Sequence, residues 1–405
     1  MSTISTERFR FTNKHGDELD ARLELPIGRP VRATALFAHC FTCTKDSHAA
    51  RRITAALAAQ GFAVLRFDFT GLGGSDGEFA NSGFVANVDD LVSAADHMRD
   101  RGMAPSLLIG HSLGGAAVIA AAERIAEVTA VATIGAPFEV DHVLHQLGNA
   151  PEAVQHQGEV DVSIGGRPFK IGQEFIEQTL GQPQAERLAR LNAALLVMHA
   201  PGDTVVGIEN ATNIFVSAKH PKSFISLDSA DHLLLEEGSA EYAVKMITAW
   251  AQPYVEAVET DQAQLADGVV RVETASGKFT QTVQTASHSF IADEPLSFGG
   301  ANLGPTPYDL LLASLGACTS MTIKMYADRK KIALESVKVD LEHGREHATD
   351  CDDKEKSCRI DVIDRTIELR GDLTPEQKEK LLEIAGKCPV HRTLENRIEV
   401  RTIGV

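Results

Sequence analysis

Over the first 255 residues the chain alternates short apolar runs with longer amphipathic stretches. The apolar runs predict strands at 34–38, 63–67, 107–109, 128–134, 195–199 and 223–227. Between them, apolar residues recur every three or four positions and predict helices at 47–60, 84–99, 113–126, 209–218 and 239–252. Runs that are apolar throughout suit strands buried on both faces, and repeated β-α-β units imply a parallel sheet sandwiched by helices. An alternating segment over 8–25, turning at Lys14-His15-Gly16-Asp17, predicts an antiparallel hairpin ahead of that sheet. The rhythm breaks over about 138–190, a polar segment with Gly165-Gly166 and the histidines His142, His145 and His156. It is too long for an ordinary connection and reads as a lid over a site.

The segment 256–266 is acidic and aperiodic, which suits a linker. Beyond it, strands and helices come in blocks. Strand-like runs occupy 269–274 and 278–285, and a long apolar helix runs from Pro305-Thr306-Pro307 to about Lys330. Strands over 336–342 and 359–369, a helix opened by Thr374-Pro375-Glu376 and a last strand near 397–402 complete the pattern. Blocks rather than alternation predict a separate α+β domain. The expected organisation is therefore an α/β, doubly wound, mostly parallel domain over 1–255, a linker, and a smaller α+β domain over 267–405.

Composition narrows the partners. The chain has 405 residues, enough for two domains, with 43% hydrophobic and 23% charged positions. A net charge of −17 argues against nucleic acid and anionic membrane surfaces. The first residues lack the apolar core of a secretory signal, and no continuous apolar stretch reaches the ~18 residues of a membrane span. Six cysteines do not make a disulfide scaffold. A reducing cytoplasm is the expected location, where a functional cysteine is catalytic or metal-binding rather than structural.

The segment Leu107-Leu108-Ile109-Gly110-His111-Ser112-Leu113-Gly114-Gly115 places Gly-x-Ser-x-Gly between an apolar run and an Ala-rich helical stretch. This has the form of the nucleophile elbow of α/β-hydrolases, in which a strained strand-to-helix turn needs small residues two before and two after the serine. A serine hydroxyl needs a base, and the base an orienter. In this fold their order is Ser, Asp, His, at strand ends. Asp203 follows the 195–199 run and His232 follows the 223–227 run. His111 adjoins the serine too closely to turn back on it, and the lid histidines precede Asp203. The expected catalytic set is Ser112, Asp203 and His232. Oxyanion donors are expected from the Leu113 N–H and from the loop His39-Cys40-Phe41-Thr42, with Cys40 and Cys43 read as small buried hydrophobes and a reactive thiol there as the alternative.

With His39-x-Phe41, Arg66-Phe67-Asp68-Phe69-Thr70-Gly71 and Gly74-Ser75-Asp76-Gly77, residues 8–253 resemble serine hydrolases that include cinnamoyl-type esterases. The resemblance implies an acyl-enzyme esterase, without metal or organic cofactor, in which Phe41 gives the second oxyanion N–H. Such families usually carry Gly where this chain has Cys40.

In the second half, Leu311, Leu315, Cys318, Met321 and Met325 share a helical face, and Cys388-Pro389 adjoins two potential cations, His391 and Arg392. These contexts and the lead-in Gly304-Pro305-Thr306-Pro307-Tyr308-Asp309-Leu310-Leu311 resemble the OsmC/Ohr family of thiol peroxidases. The resemblance implies that Cys318 attacks an organic hydroperoxide, that Cys388 resolves the sulfenic acid as a disulfide, and that the domain is a homodimer. Active members carry Glu at the Tyr308 position, paired to an Arg; here no Arg or Lys lies between Lys278 and Lys324, which leaves Arg392 as a candidate cation. A non-catalytic dimerisation or ligand-binding module is the alternative. His343, His347, Cys351 and Cys358 are spaced for soft ligands but lack a paired Cys-x-x-Cys knuckle, and a solvated loop is the expectation. The chain is expected to cleave a small-molecule ester, with cinnamoyl-type aromatic esters as an alternative class.

Overall fold

The computed structural model describes residues 4–27, 31–145, 147–164, 167–255, 265–275, 278–347 and 359–404. Two compact units divide the chain: Met1–Val272 with Thr282–Phe290, and Glu273–Gln281 with Ile291–Val405.

The first unit opens with the hairpin β1 (Ile4–Thr12) and β2 (Glu18–Pro26). Then follow β3 (Ala33–Ala38), α1 (His48–Ala59), β4 (Phe62–Phe67), α2 (Phe84–Asp100), β5 (Leu107–His111), α3 (Leu113–Ala122) and β6 (Ala130–Ile134). The lid segment forms α4 (His142–His145), α5 (Ala150–Gln157), a hairpin of β7 (Glu159–Ile164) and β8 (Arg167–Gly172), α6 (Gln173–Thr179) and α7 (Gln184–Arg190). The unit closes with β9 (Ala194–His199), α8 (Glu209–Ser217), β10 (Lys222–Ser226) and α9 (Ser239–Ala251).

The main sheet has eight strands in the order β1-β2-β4-β3-β5-β6-β9-β10. From β4 to β10 every pairing is parallel, and only β2, antiparallel to both β4 and β1, runs against the rest. The central strands β3, β4, β5, β6 and β9 are buried at every residue, as their unbroken apolar runs require. Helices α2, α3, α7 and α8 bury one face of the sheet, with Leu36, Leu65, Leu108 and Val131 beneath them. Helices α1 and α9 bury the other, against Phe37, Val64, Ile109 and Met198. Buried on every side, α3 fixes the direction in which the chain leaves β5.

The second unit is built on α10 (Pro307–Lys330), the paired strands β14 (Leu334–His347) and β15 (Arg359–Gly371), α11 (Pro375–Ala385) and α12 (Pro389–Glu395). Before them β11 (Arg271–Thr274), β12 (Gln281–Gln284) and β13 (Ser289–Ala292) form a three-stranded sheet. Helix α10 starts at a capping box: Thr306 Oγ1 accepts the Asp309 N–H, and the Asp309 carboxylate accepts the Thr306 N–H. Its Ile323 and Ala327 pack with Leu334, Leu381 and Ala385 in a small core.

Three expectations change. The strand expected near 397–402 does not form; the segment is irregular, and Ile398, Val400 and Ile403 stand exposed. A strand not read from the sequence, β13, is present. An 18-residue window of α10 has a mean hydropathy of 1.3, so this helix is long and apolar enough to cross a membrane by length and composition. Its apolar residues are interleaved with Gly, Ala, Ser and Thr, so no continuous apolar run marks it in the sequence.

Candidate active site

The end of β5 sets the first site. Ser112 has φ 56° and ψ −127°, a strained conformation for a residue with a side chain. Its N–H donates to the Ile134 carbonyl at 2.8 Å, and α3 begins at the next residue. A Cβ on Gly110 would collide with the Gly114 carbonyl, and one on Gly114 with the carbonyl of Ala38. Both glycines are therefore demanded by close backbone approach, as the motif's spacing predicted.

The structure brings Ser112, His232 and Asp203 together. His232 Nε2 lies 3.1 Å from Ser112 Oγ, and His232 Nδ1 lies 2.7 Å from Asp203 Oδ2. The other carboxylate oxygen, Asp203 Oδ1, accepts the N–H groups of Val205 and Val206 at 2.8 and 2.9 Å. Burial pushes the Asp203 carboxyl up, but the His232 ring and these two N–H groups together hold it below the usual carboxylate range. An ionised Asp203 fixes the His232 tautomer with its proton on Nδ1, leaving Nε2 to accept the serine proton.

Two further histidines support this line: His111, set aside as the base, and His199, not singled out in the sequence. His199, at the end of β9, donates from Nε2 to the Val206 carbonyl at 2.8 Å and so braces the Asp203 turn. His111 Nε2 lies 2.6 Å from the His232 carbonyl. Burial, with the neighbouring His232 charge, pushes the His111 ring down to about 4, so it is neutral near pH 7.

Ser112 and His232 open into a cavity of about 340 Å³, lined by Phe41, Leu113, Pro137, Val143, Val206 and Leu233, with Arg167 from the lid. The lid joins the loop after β3 through aromatic contacts: Phe41 meets Phe79 and Phe175 at 5.8 Å, and Phe79 meets Phe169 at 5.0 Å between ring centroids. Leu113, as the first residue of α3, directs an N–H ahead of the helical ladder. Among the described residues the Phe41 N–H has no acceptor.

The loop itself departs from expectation. Cys40 and Cys43, read from sequence as small buried hydrophobes, form a disulfide with Cα atoms 5.3 Å apart. A Cys-x-x-Cys spacing was the signal available for it. Beneath the loop, Lys45 Nζ bridges Asp68 and Asp20 at 2.6 Å each, and the Lys45 N–H donates to Asp68 Oδ1. The Arg66-Phe67-Asp68 segment thus anchors the turn from inside.

The second unit gathers Cys318 and Cys388. Both thiols are free, and Cys388 caps α12: its Sγ accepts the His391 N–H at 3.3 Å and lies 3.7 Å from Thr319 Oγ1, the residue after Cys318. Burial pushes the Cys388 thiol up, but the His391 N–H, the Thr319 and Cys318 side chains and the Arg365 charge together hold it below the ordinary thiol range. The cation whose charge acts on this thiol is Arg365, which the sequence reading did not single out. Arg365 Nη1 donates to Thr319 Oγ1 at 2.9 Å and to the Ala385 carbonyl at 3.2 Å. The signal was legible: Arg365 occupies the inward phase Ile363-x-Arg365-x-Ile367-x-Leu369 of β15. Tyr308, at the position where a Glu was expected, stacks on His343 with ring centroids 4.5 Å apart.

His343 pairs with Asp361 at 3.1 Å. Among the described residues no group of three or more His, Cys, Asp or Glu side chains is placed to hold a metal. Cys351, Cys358 and the His347 side chain lie outside the described residues.

Comparison with known proteins follows the same division. Residues 29–160 match the model of the serine aminopeptidase S33 family, and residues 299–403 match that of the OsmC-like proteins. The esterase domain of a Rhodothermus marinus protein is 44% identical, covering 62% of this chain and 99% of that domain, with a TM-score of 0.52. Est1E from Butyrivibrio proteoclasticus, solved with ferulic acid bound, is 18% identical over 61% of this chain and 98% of its own, with a TM-score of 0.51, and shares the fold. The human mitochondrial palmitoyl-protein thioesterase ABHD10 is 27% identical over 154 residues, 36% of this chain. The match spans 49% of that relative, about half its length. With a matching esterase domain over most of its first unit and an OsmC-like match over its second, the chain belongs to the α/β-hydrolases of esterase type and carries an OsmC-like domain fused behind the hydrolase.

Proposed function

We propose that the first unit is a serine hydrolase of carboxylic esters that works through an acyl-enzyme. The hydrogen-bonded line from Ser112 Oγ through His232 to Asp203 carries this reading. His232 takes the Ser112 proton as the oxygen attacks the ester carbonyl, then gives it to the leaving alkoxide. Asp203 holds the ring and balances the imidazolium. The N–H groups of Leu113 and Phe41 stabilise the oxyanion. Water then repeats the sequence and releases the acid. The cavity is small and largely apolar around Ser112, which suits a short acyl chain, aliphatic or aromatic. Labelling of Ser112 by a fluorophosphonate and burst kinetics on p-nitrophenyl esters test the reading; an unlabelled Ser112 in folded protein overturns it.

For the second unit we propose reduction of organic hydroperoxides through Cys318 and Cys388, with Arg365 as the cation at the thiols. The lowered Cys388 thiol supports this assignment. Two copies of the chain associate through this unit. Met321 and Met325 on α10 are 65% and 73% exposed, and β14 pairs only with β15 among the described residues, leaving sheet edges open. We place the protein in a reducing cytoplasm. The hydrolase then removes esters among the products left by hydroperoxide reduction.

A further inference from the structure

We propose that Cys40 and Cys43 are a redox-active pair that sets the turnover of the ester-cleaving site, with hydroperoxides as oxidant and small dithiols as reductant. The inference rests on the esterase reading above and adds a second thiol site to the chain.

The pair encloses Phe41 and Thr42, and both cysteines line the same cavity as Ser112 and His232. Phe41 carries the unpartnered N–H assigned to the oxyanion. Its direction depends on a tight turn in which the Cys43 N–H donates to the Cys40 carbonyl at 3.1 Å. Within that turn Thr42 stands at φ 59°, a region that β-branched residues avoid. Such a conformation persists only when its surroundings over-determine it. The disulfide is the covalent part of those surroundings. With the bond open, one backbone hydrogen bond remains across the turn, and Thr42 is free to relax to negative φ and swing the Phe41 N–H.

The pair is placed to exchange. Cys40 is buried at 6% exposure, whereas Cys43 is only half-buried and faces the cavity, so a reagent entering there meets Cys43 first. In a reducing compartment a disulfide is transient, catalytic or sensing rather than structural. The Cys43 thiolate attacks the O–O bond of ROOH, forming Cys43–SOH and releasing RO⁻, which takes a proton to become ROH. The Cys40 thiol then attacks the sulfenic sulfur, closing the S–S bond and releasing water. Two thiols thus reduce one peroxide to alcohol and water. A dithiol reverses this by two exchange steps and leaves as its own disulfide.

Because the oxyanion contact is made in the transition state, reduction should lower kcat and leave KM nearly unchanged. The experiment uses the full-length chain and a p-nitrophenyl ester. Turnover is measured after dithiothreitol and again after cumene hydroperoxide, with the state of Cys40 and Cys43 read by alkylation and peptide mapping. The expected result is a fall in kcat of about tenfold or more on reduction, restored by the peroxide. A folded Cys40→Ser chain should sit at the reduced rate in both conditions. Fluorophosphonate labelling of Ser112 should slow in parallel, which reads the site without relying on any variant. Equal turnover in the two mapped states, or failure of peroxide to re-form the bond, overturns the proposal alone. No turnover and no Ser112 labelling in either state overturns the esterase reading and this proposal with it.

Discussion

His111 Nε2 lies 2.6 Å from the carbonyl of His232 and, as a carbonyl can only accept, donates to it. The residue before the elbow serine therefore ties down the loop that delivers the general base. His111 is 1% exposed and neutral, so this bond is made in a dry environment. We expect His111→Phe to lower kcat about 10- to 100-fold with a smaller change in KM, because it mispositions His232 without touching substrate. Unchanged kcat in a folded variant would remove this positioning role.

Ser112→Ala should reduce ester turnover by roughly 10⁴-fold or more, and Asp203→Asn by a comparable factor through the wrong His232 tautomer. Because the three groups act as a unit, the double variant should lose little beyond the worse single one. Steady-state kinetics with active-site titration checks both points, and additive losses would contradict the shared mechanism.

For the second unit, Arg365→Gln should slow peroxide-driven formation of the Cys318–Cys388 disulfide, since the Cys388 thiol loses a nearby positive charge. Arg365→Lys should recover part of the rate. Thiol alkylation rates against pH provide a readout independent of turnover: the Cys388 midpoint should move up in Arg365→Gln. A midpoint that stays put would show that Arg365 is only a packing and capping group for Ala385.

Light scattering on the full chain should give about twice the chain mass of 43.6 kDa. Met321→Asp with Met325→Asp places charges on the exposed apolar face of α10 and should shift the mass to that of a single chain. A wild-type monomer, or a charged variant that stays dimeric, would rule out this face as the contact.

Asp90 offers a pH test of stability. Burial pushes its carboxyl up to about 6, against the opposing hydrogen bonds from Thr70 and Asn13. The folded state thus holds this proton at pH values where the unfolded chain has released it. The stabilisation is fully present below about 4 and is lost as pH rises through about 6. Unfolding free energies of wild type minus Asp90→Asn should fall across that window. A flat or rising difference would mean that Asp90 ionises as readily in the folded protein as in the unfolded one.

The sequence alone determined the parts of this protein that follow from local periodicity and backbone sterics. Apolar runs and helical repeats placed most strands and helices of the first unit within a few residues, because a strand buried on both faces can be apolar throughout. Gly110 and Gly114 marked the elbow because only residues without Cβ fit that turn. The cap of α10 was written in Pro305-Thr306-Pro307. What tertiary structure decided are the relations between distant segments. His111 and His199 gained their roles only when the loops after β9 and β10 folded against them. Arg365 reaches Cys388 across 23 positions of chain, a relation that nearness in sequence, which favours Arg392, does not reveal. Cys40 and Cys43 looked like small apolar residues until the turn at Thr42 brought them into bonding range. The segment after Asn396 has an alternating pattern but pairs with no strand among the described residues, because pairing needs a partner in register that an alternating pattern alone does not supply.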